Sequence, residues 1–146
     1  MIPVKPGELV ISGSKNKIQF LELNTKKLKE IIDIKRNICF DYCNLCMMNE
    51  RCLCVGGQDK IMLIDVDYKY IVGEIQEKGI HICFINLNNN ILLVGKDNGD
   101  ITQWKIDECN LTYMSKKEKV DKNGIIKIIR FNNFIVTCSR DSIKFW

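Results

Sequence analysis

The chain repeats one pattern four times: an apolar strand, a short polar turn and a second strand. The isoleucines that hold the same place in the four second strands are 43, 40 and 42 residues apart, at Ile18, Ile61, Ile101 and Ile143. A period of about 40 to 45 residues is typical of small four-stranded sheets that stack on one another, because each unit buries its apolar face against its neighbour. The repeat therefore predicts an all-β chain of about four such sheets.

The four turns contain residues that suit tight β-hairpins. Their central dipeptides are Lys15-Asn16, Gln58-Asp59, Asn98-Gly99 and Arg140-Asp141. Asn, Asp and Gly accept the positive φ angles that a two-residue hairpin requires, and Asn-Gly is the strongest such signal. The sequence therefore predicts a two-residue hairpin at each of the four places.

The composition also favours strands over helices. The 146 residues include 23 Ile, 18 Lys and 14 Asn but no Ala. β-Branched residues thus replace the best helix former, which argues against a helical bundle. Apolar residues make up 46% of the chain and charged residues 27%, as in a folded domain with a core of its own.

In these features the chain resembles the WD-repeat family of β-propellers, whose repeat ends in Gly-Ser, Asp, Ile and Trp-Asp. The Gly-Ser place is taken by Gly13-Ser14, Gly56-Gly57, Gly95-Lys96 and Cys138-Ser139, and the acid of the turn by Asn16, Asp59, Asn98 and Asp141. The Trp place holds Leu21, Ile64, Trp104 and Trp146, and the acid after it is Glu22, Asp65 or, as a departure, Lys105. The family's Gly-His dipeptide is missing, so we expect no complete Asp-His-Ser-Trp tetrad.

The resemblance implies propeller blades over residues 1–35, 36–78, 79–119 and 120–146. We expect inner strands at 38–42, 80–86 and 124–131, and outer strands at 28–34, 69–76 and 111–116. The first blade then lacks most of its inner strand and the last blade its outer strand. Because an open arc leaves apolar faces and strand edges uncovered, we expect a fragment of a longer propeller, with a ring closed by a partner or a free-standing arc as the alternatives. We also expect the isolated chain to self-associate through the open blade edges.

The function that the resemblance implies is a rigid scaffold that holds other proteins together, without catalysis. The one histidine, His81, lies in the apolar run Ile80–Ile85 with no nucleophile or carboxylate placed to assist it, and is interpreted as a core residue. No glycine-rich phosphate loop precedes a helix. We therefore expect neither catalytic residues nor a cofactor.

The charge distribution argues against nucleic-acid binding. The net charge is +4, but the lysines are scattered along the chain rather than clustered among aromatic residues. No run has the pattern of a signal peptide or the length of a membrane span. We therefore expect an intracellular protein, cytoplasmic or nuclear, with eight mostly reduced cysteines.

A cluster of five cysteines supports one alternative, a small intracellular zinc-binding module. Its members are Cys39, Cys43, Cys46, Cys52 and Cys54. Structural zinc sites usually combine two Cys-x-x-Cys pairs, whereas here a single pair is followed by two cysteines that alternate along a strand. Alternate residues share one face of a strand, which favours a role as small apolar core residues.

Five basic residues are candidates for a partner-binding surface. In propellers the connections between blades and the central hairpin turns share one rim, which would collect Lys15, Arg36, Lys78, Lys122 and Arg140. A basic rim suits an acidic peptide or the acidic face of another protein. The run from Lys116 to Lys119 is interpreted as a solvated loop.

Overall fold

The computed structural model describes residues 1–13, 17–33, 44–88, 90–107 and 110–146. These ranges contain no helix, and hence none that could cross a membrane. Their strands are β1 (Ile2–Lys5), β2 (Glu8–Gly13), β3 (Lys17–Glu22), β4 (Lys27–Asp33), β5 (Asn44–Met47), β6 (Cys52–Gly56), β7 (Gln58–Asp65), β8 (Tyr70–Leu87), β9 (Ile91–Lys96), β10 (Ile101–Asp107), β11 (Asn110–Lys117), β12 (Lys127–Phe131), β13 (Phe134–Cys138) and β14 (Ile143–Phe145). The expected all-β fold is confirmed.

Every pairing is antiparallel and joins two strands that are consecutive in the sequence. The hydrogen-bonded orders are β1-β2-β3-β4, β5 through β11 in one seven-stranded sheet, and β12-β13-β14. The long strand β8 joins two four-stranded units, because its first half pairs with β7 and its second half with β9. We call the units sheet 1 (β1–β4), sheet 2 (β5–β7 and the first half of β8), sheet 3 (the second half of β8 and β9–β11) and sheet 4 (β12–β14).

Three apolar clusters hold the sheets together face to face. Between sheets 1 and 2 lie Val10, Ile18, Phe20, Leu53, Val55, Met62, Ile64 and Val66. Between sheets 2 and 3 lie Met48, Cys52, Cys54, Ile61, Leu63, Leu92, Val94, Trp104 and Ile106. Between sheets 3 and 4 lie Cys83, Leu93, Val120, Ile125 and Ile128. Sheets 2 and 3 are covered on both faces, which explains their unbroken apolar strands.

Sheet 1 differs from the expectation. The prediction that the first blade lacks most of its inner strand is wrong, because β1 pairs with β2 through Ile2↔Val10 and Pro3↔Leu9. Pro3 has no N–H to donate, and β1 tolerates it because β1 is an edge strand. The inner strand expected at 38–42 lies outside the described residues, and β5 holds the inner place in sheet 2.

The prediction of two-residue turns is confirmed at Gln58-Asp59 and Arg140-Asp141 and is wrong at Asn98-Gly99. Gln58-Asp59 is a two-residue turn closed by Gly57 N–H to Lys60 O at 3.2 Å, with Asp59 at φ 56°. The turn at Asn98 has three residues instead of two, with Gly99 at φ 82°. A Cβ on Gly99 would lie 1.7 Å from the carbonyl oxygen of Asp121. Glycine is therefore required both by the positive φ angle and by the lack of space for a side chain. Lys15-Asn16 lies outside the described residues.

Candidate functional site

The predicted rim is a continuous edge in the described part of the chain. The Asp59 carboxylate accepts a hydrogen bond from Gly79 N–H at 2.7 Å, which joins the hairpin of sheet 2 to the bend in β8. Asp97 joins the next hairpin to the same bend, since its N–H donates to Ile80 O at 3.1 Å. We define the rim as residues 57–60, 77–80, 96–100, 119–124 and 139–142.

Close backbone contacts continue the rim to sheet 4. The N–H of Asp121 donates to Gly99 O at 3.4 Å, and a Cβ on Gly124 would lie 2.4 Å from the Asp97 oxygen. The Asn123 side chain donates to Asp141 at 2.5 Å, which joins the last connection to the last hairpin. The rim therefore packs as one ordered surface.

Three of the five predicted basic residues lie on this surface. Lys78, Lys122 and Arg140 are all exposed, in the bend of β8, the 119–124 connection and the last hairpin respectively. Lys15 and Arg36 lie outside the described residues. Their role in partner binding stays a prediction.

The rim also carries exposed acids that the sequence reasoning overlooked. Asp59, Asp97 and Asp141 are exposed beside the three basic side chains. The sequence argument counted cations alone, treated Asp59 and Asp141 as turn formers and did not consider Asp97. Asp59 and Asp97 do accept backbone hydrogen bonds, so they serve both roles. The described surface is thus mixed in sign, and Lys78, Lys122 and Arg140 are exposed on it.

Two buried aspartates anchor the rim connections. Asp100 accepts a hydrogen bond from Lys119 N–H at 2.8 Å and forms an ion pair with Lys116 at 2.8 Å. Asp121 accepts from the Ser142 hydroxyl and pairs with Lys144 at 2.9 Å. Burial by itself would raise the pKa of Asp100, but the hydrogen bonds from Lys116 and Lys119 lower it. The Ser142 and Lys144 contacts hold the pKa of Asp121 far below its usual range.

These lowered pKa values predict acid-sensitive stability. A carboxylate whose pKa is lower in the folded state stabilises the fold above its unfolded pKa of about 4, and this contribution disappears as protons bind at lower pH. We expect urea midpoints to fall between about pH 5 and pH 2. The double variant Asp100→Asn, Asp121→Asn should be less stable at pH 7 and show a shallower decline. An equally steep decline in the variant would assign the acid sensitivity to other groups.

A buried charged network lies beneath the rim, between β8, β9 and β10. Lys96 Nζ pairs with Glu77 Oε1 at 2.7 Å, and His81 Nε2 lies 3.4 Å from Glu77 Oε2. Burial alone would raise the pKa of Glu77, but contacts from His81, Lys96 and Thr102 lower it. Glu77 is therefore a carboxylate held by a buried ammonium group.

The network corrects the expectation that no carboxylate lies near His81, because Glu77 is its neighbour. His81 is fully buried in β8 as predicted, yet neither ring nitrogen has a well-aligned hydrogen bond, so its contact with Glu77 is one of proximity.

The indole of Trp104 donates to Thr102 at 3.2 Å, and that of Trp146 to Thr137 at 3.0 Å. The two tryptophans at the family's Trp place thus keep an indole-to-hydroxyl bond without the family's Gly-His dipeptide.

The described cysteines of the proposed zinc cluster are core residues. Cys52 and Cys54 are buried between sheets 2 and 3, and Cys46 packs against the same cluster. Burial raises the pKa of the Cys46 thiol to about 11. In the described ranges no group of three His, Cys, Asp or Glu side chains is placed to hold a metal ion. Cys39 and Cys43 lie outside these ranges.

The sheet stack is a propeller-like fold, and solved structures share it. The chain matches a structure of the Mitotic Checkpoint Complex with a TM-score of 0.79 at 16% identity, over 96% of this chain and 45% of that one. It matches Saccharomyces cerevisiae Sqt1 with a TM-score of 0.72 at 10% identity, over 95% and 40%. It matches the computationally designed protein Ika4 with a TM-score of 0.72 at 14% identity, over 96% and 84%.

The first two of these structures are WD40-type β-propellers, and the likeness shows a propeller-like fold for this chain. The chain spans less than half of the first two structures. No known protein family matches the sequence. No curated protein sequence matches it either.

Proposed function

We propose that the chain is a non-catalytic scaffold that binds other proteins through the rim. The observation that carries the proposal is the linkage of the rim: hydrogen bonds and close backbone contacts join its segments into one surface that displays Lys78, Lys122 and Arg140. A surface that is already ordered loses little conformational entropy when a partner binds. Loops held by a rigid repeat scaffold are the usual place for such contacts.

The fold neighbours support a role in assemblies. One of them is part of the Mitotic Checkpoint Complex, a structure of several proteins. By analogy we assign this chain to a protein complex inside the cell, with an acidic segment of another protein as the partner. The three basic side chains favour an acidic partner, and the acids between them favour one that also offers hydrogen-bond donors.

Charge reversal tests the rim directly. The triple variant Lys78→Glu, Lys122→Glu, Arg140→Glu should bind a fluorescent oligoglutamate peptide about tenfold more weakly at low salt, since each exposed ion pair contributes about 0.5 kcal/mol. Fluorescence anisotropy measures the binding, and the salt dependence of affinity should flatten with it.

A matched triple variant controls for net charge. Lys26, Lys27 and Lys105 are exposed and lie away from the rim, at the turn between β3 and β4 and near the far end of β10. Their reversal to glutamate changes the net charge equally and should leave most of the affinity in place. An equal loss in both triples would show that the peptide senses overall charge and would contradict a rim site.

A further inference from the structure

One face of sheet 4 is apolar and open. The register places Ile129, Val136 and Phe145 on one face, together with the pairs Phe131↔Phe134 and Cys138↔Ile143. Among them Phe131, Ile143 and Phe145 are 58%, 65% and 65% exposed. We call this surface the tail face. Its apolar members are Ile129, Phe131, Phe134, Val136, Cys138, Ile143 and Phe145, and Lys127 lies on the same face beside Cys138.

The tail face is equivalent to faces that are covered elsewhere in the chain. Ile143 holds the repeat position of Ile18 and Ile61, which are completely buried against the next sheet. Phe145 likewise corresponds to Phe20, which is also completely buried. The repeat therefore defines what fits the tail face: another antiparallel sheet with an apolar face.

The opposite end of the stack offers such a sheet. In sheet 1 the register puts Pro3, Leu9, Leu21 and Leu28 on the face that points away from sheet 2. Leu9 and Leu21 correspond to Leu53 and Ile64, which sheet 2 packs against sheet 1. We call this surface the head face. Its apolar members are Pro3, Leu9, Ile11, Leu21 and Leu28, and Lys17 and Gln19 lie on the same face.

We propose that the tail face of one copy packs on the head face of a second copy. The contact would continue the series of interfaces within each chain. In each of these interfaces, the face of one sheet that corresponds to the tail face packs on the face of the next sheet that corresponds to the head face. Two copies of the tail face would instead have to join like faces, an arrangement that is absent between the described sheets. Contiguous exposed apolar patches are rare on monomers and usually mark an interface. The proposal uses none of the rim cations and so stands apart from the proposed function.

Two single variants and their mixture test the proposal on the full chain. Ile143→Asp blocks the tail face, and Leu28→Asp blocks the head face at a residue that is 51% exposed. Sedimentation velocity over a range of concentrations should show association of the wild type and a dissociation constant raised about a hundredfold or more in each variant, because a charge would be buried in an apolar contact. An equimolar mixture should regain a one-to-one complex, since each variant keeps the face that the other needs.

The alternatives give different results. Association of Leu28→Asp alone would indicate contact between two tail faces and would overturn the proposal, as would a wild type that stays monomeric. Tyr68→Asp, at an exposed residue of the turn between β7 and β8, is the matched control and should associate as the wild type does. Circular dichroism checks folding, and Phe145→Asp replaces Ile143→Asp should the latter unfold. The rim triple variant should associate normally, which separates this test from that of partner binding.

Discussion

Replacing Glu77 with glutamine should lower the free energy of unfolding by about 3 kcal/mol, because it leaves the Lys96 ammonium group buried without its counter-charge. The two side chains lie 2.7 Å apart and are both under 10% exposed. Glutamine has nearly the same shape as glutamate, so the loss reports charge rather than packing. Urea denaturation at neutral pH measures it.

A double variant distinguishes the effect of the unpaired charge on stability from the effect of side-chain packing. Adding Lys96→Met to Glu77→Gln removes the unpaired charge and should recover at least half of the lost stability, since buried pairs are often replaceable by apolar groups. A loss below about 1 kcal/mol in Glu77→Gln would mean that solvent screens the pair as it does on a surface. In that case the buried network could not be what fixes β8 against β9.

Phe20→Ala should lower the free energy of unfolding by about 3 to 5 kcal/mol, because its ring is completely buried between sheets 1 and 2 and its removal leaves a cavity. The repeat supplies a matched control at the equivalent position. Phe145→Ala changes the same residue type on the open tail face and should reduce stability by less than about 1 kcal/mol. Thermal and urea unfolding at low protein concentration give both values.

The comparison of the two phenylalanines tests the stacking itself. Equal losses would mean that Phe20 and Phe145 are buried alike, contrary to the geometry of the sheets. At high protein concentration the Phe145→Ala effect should grow, because the proposed contact between copies adds to the stability of the wild type.

The features that the sequence predicted are those encoded locally. Alternating apolar residues and turn dipeptides specify the hairpins at Gln58-Asp59 and Arg140-Asp141, and the spacing of Ile18, Ile61, Ile101 and Ile143 specifies their stacking. The dipeptide Asn98-Gly99 could not specify the length of its turn, because glycine suits both two-residue and three-residue hairpin loops. The predicted blade bounds stay a prediction.

The missed features depend on tertiary contacts. Glu77 and Lys96 look like surface residues in the sequence, and only the fold brings them together in the interior. Gly79 resembles a chain break between two strands, whereas its φ of 113° lets β8 bend without interruption. Among the candidate site residues, the cations could be found by counting basic residues. Asp59 and Asp141 were missed as surface charges because the sequence analysis assigned them to turns.

The continuous course of β8 has a consequence for how the chain comes apart. Sheets 3 and 4 are connected by residues 118–126, which form no strand, so sheet 4 can open without interrupting a continuous strand. Sheets 2 and 3 have no such connection, because the continuous strand β8 runs from one into the other. These two central sheets should therefore exchange their amide protons as a single cooperative unit, with the slowest rates in the molecule, while sheet 4 opens more often.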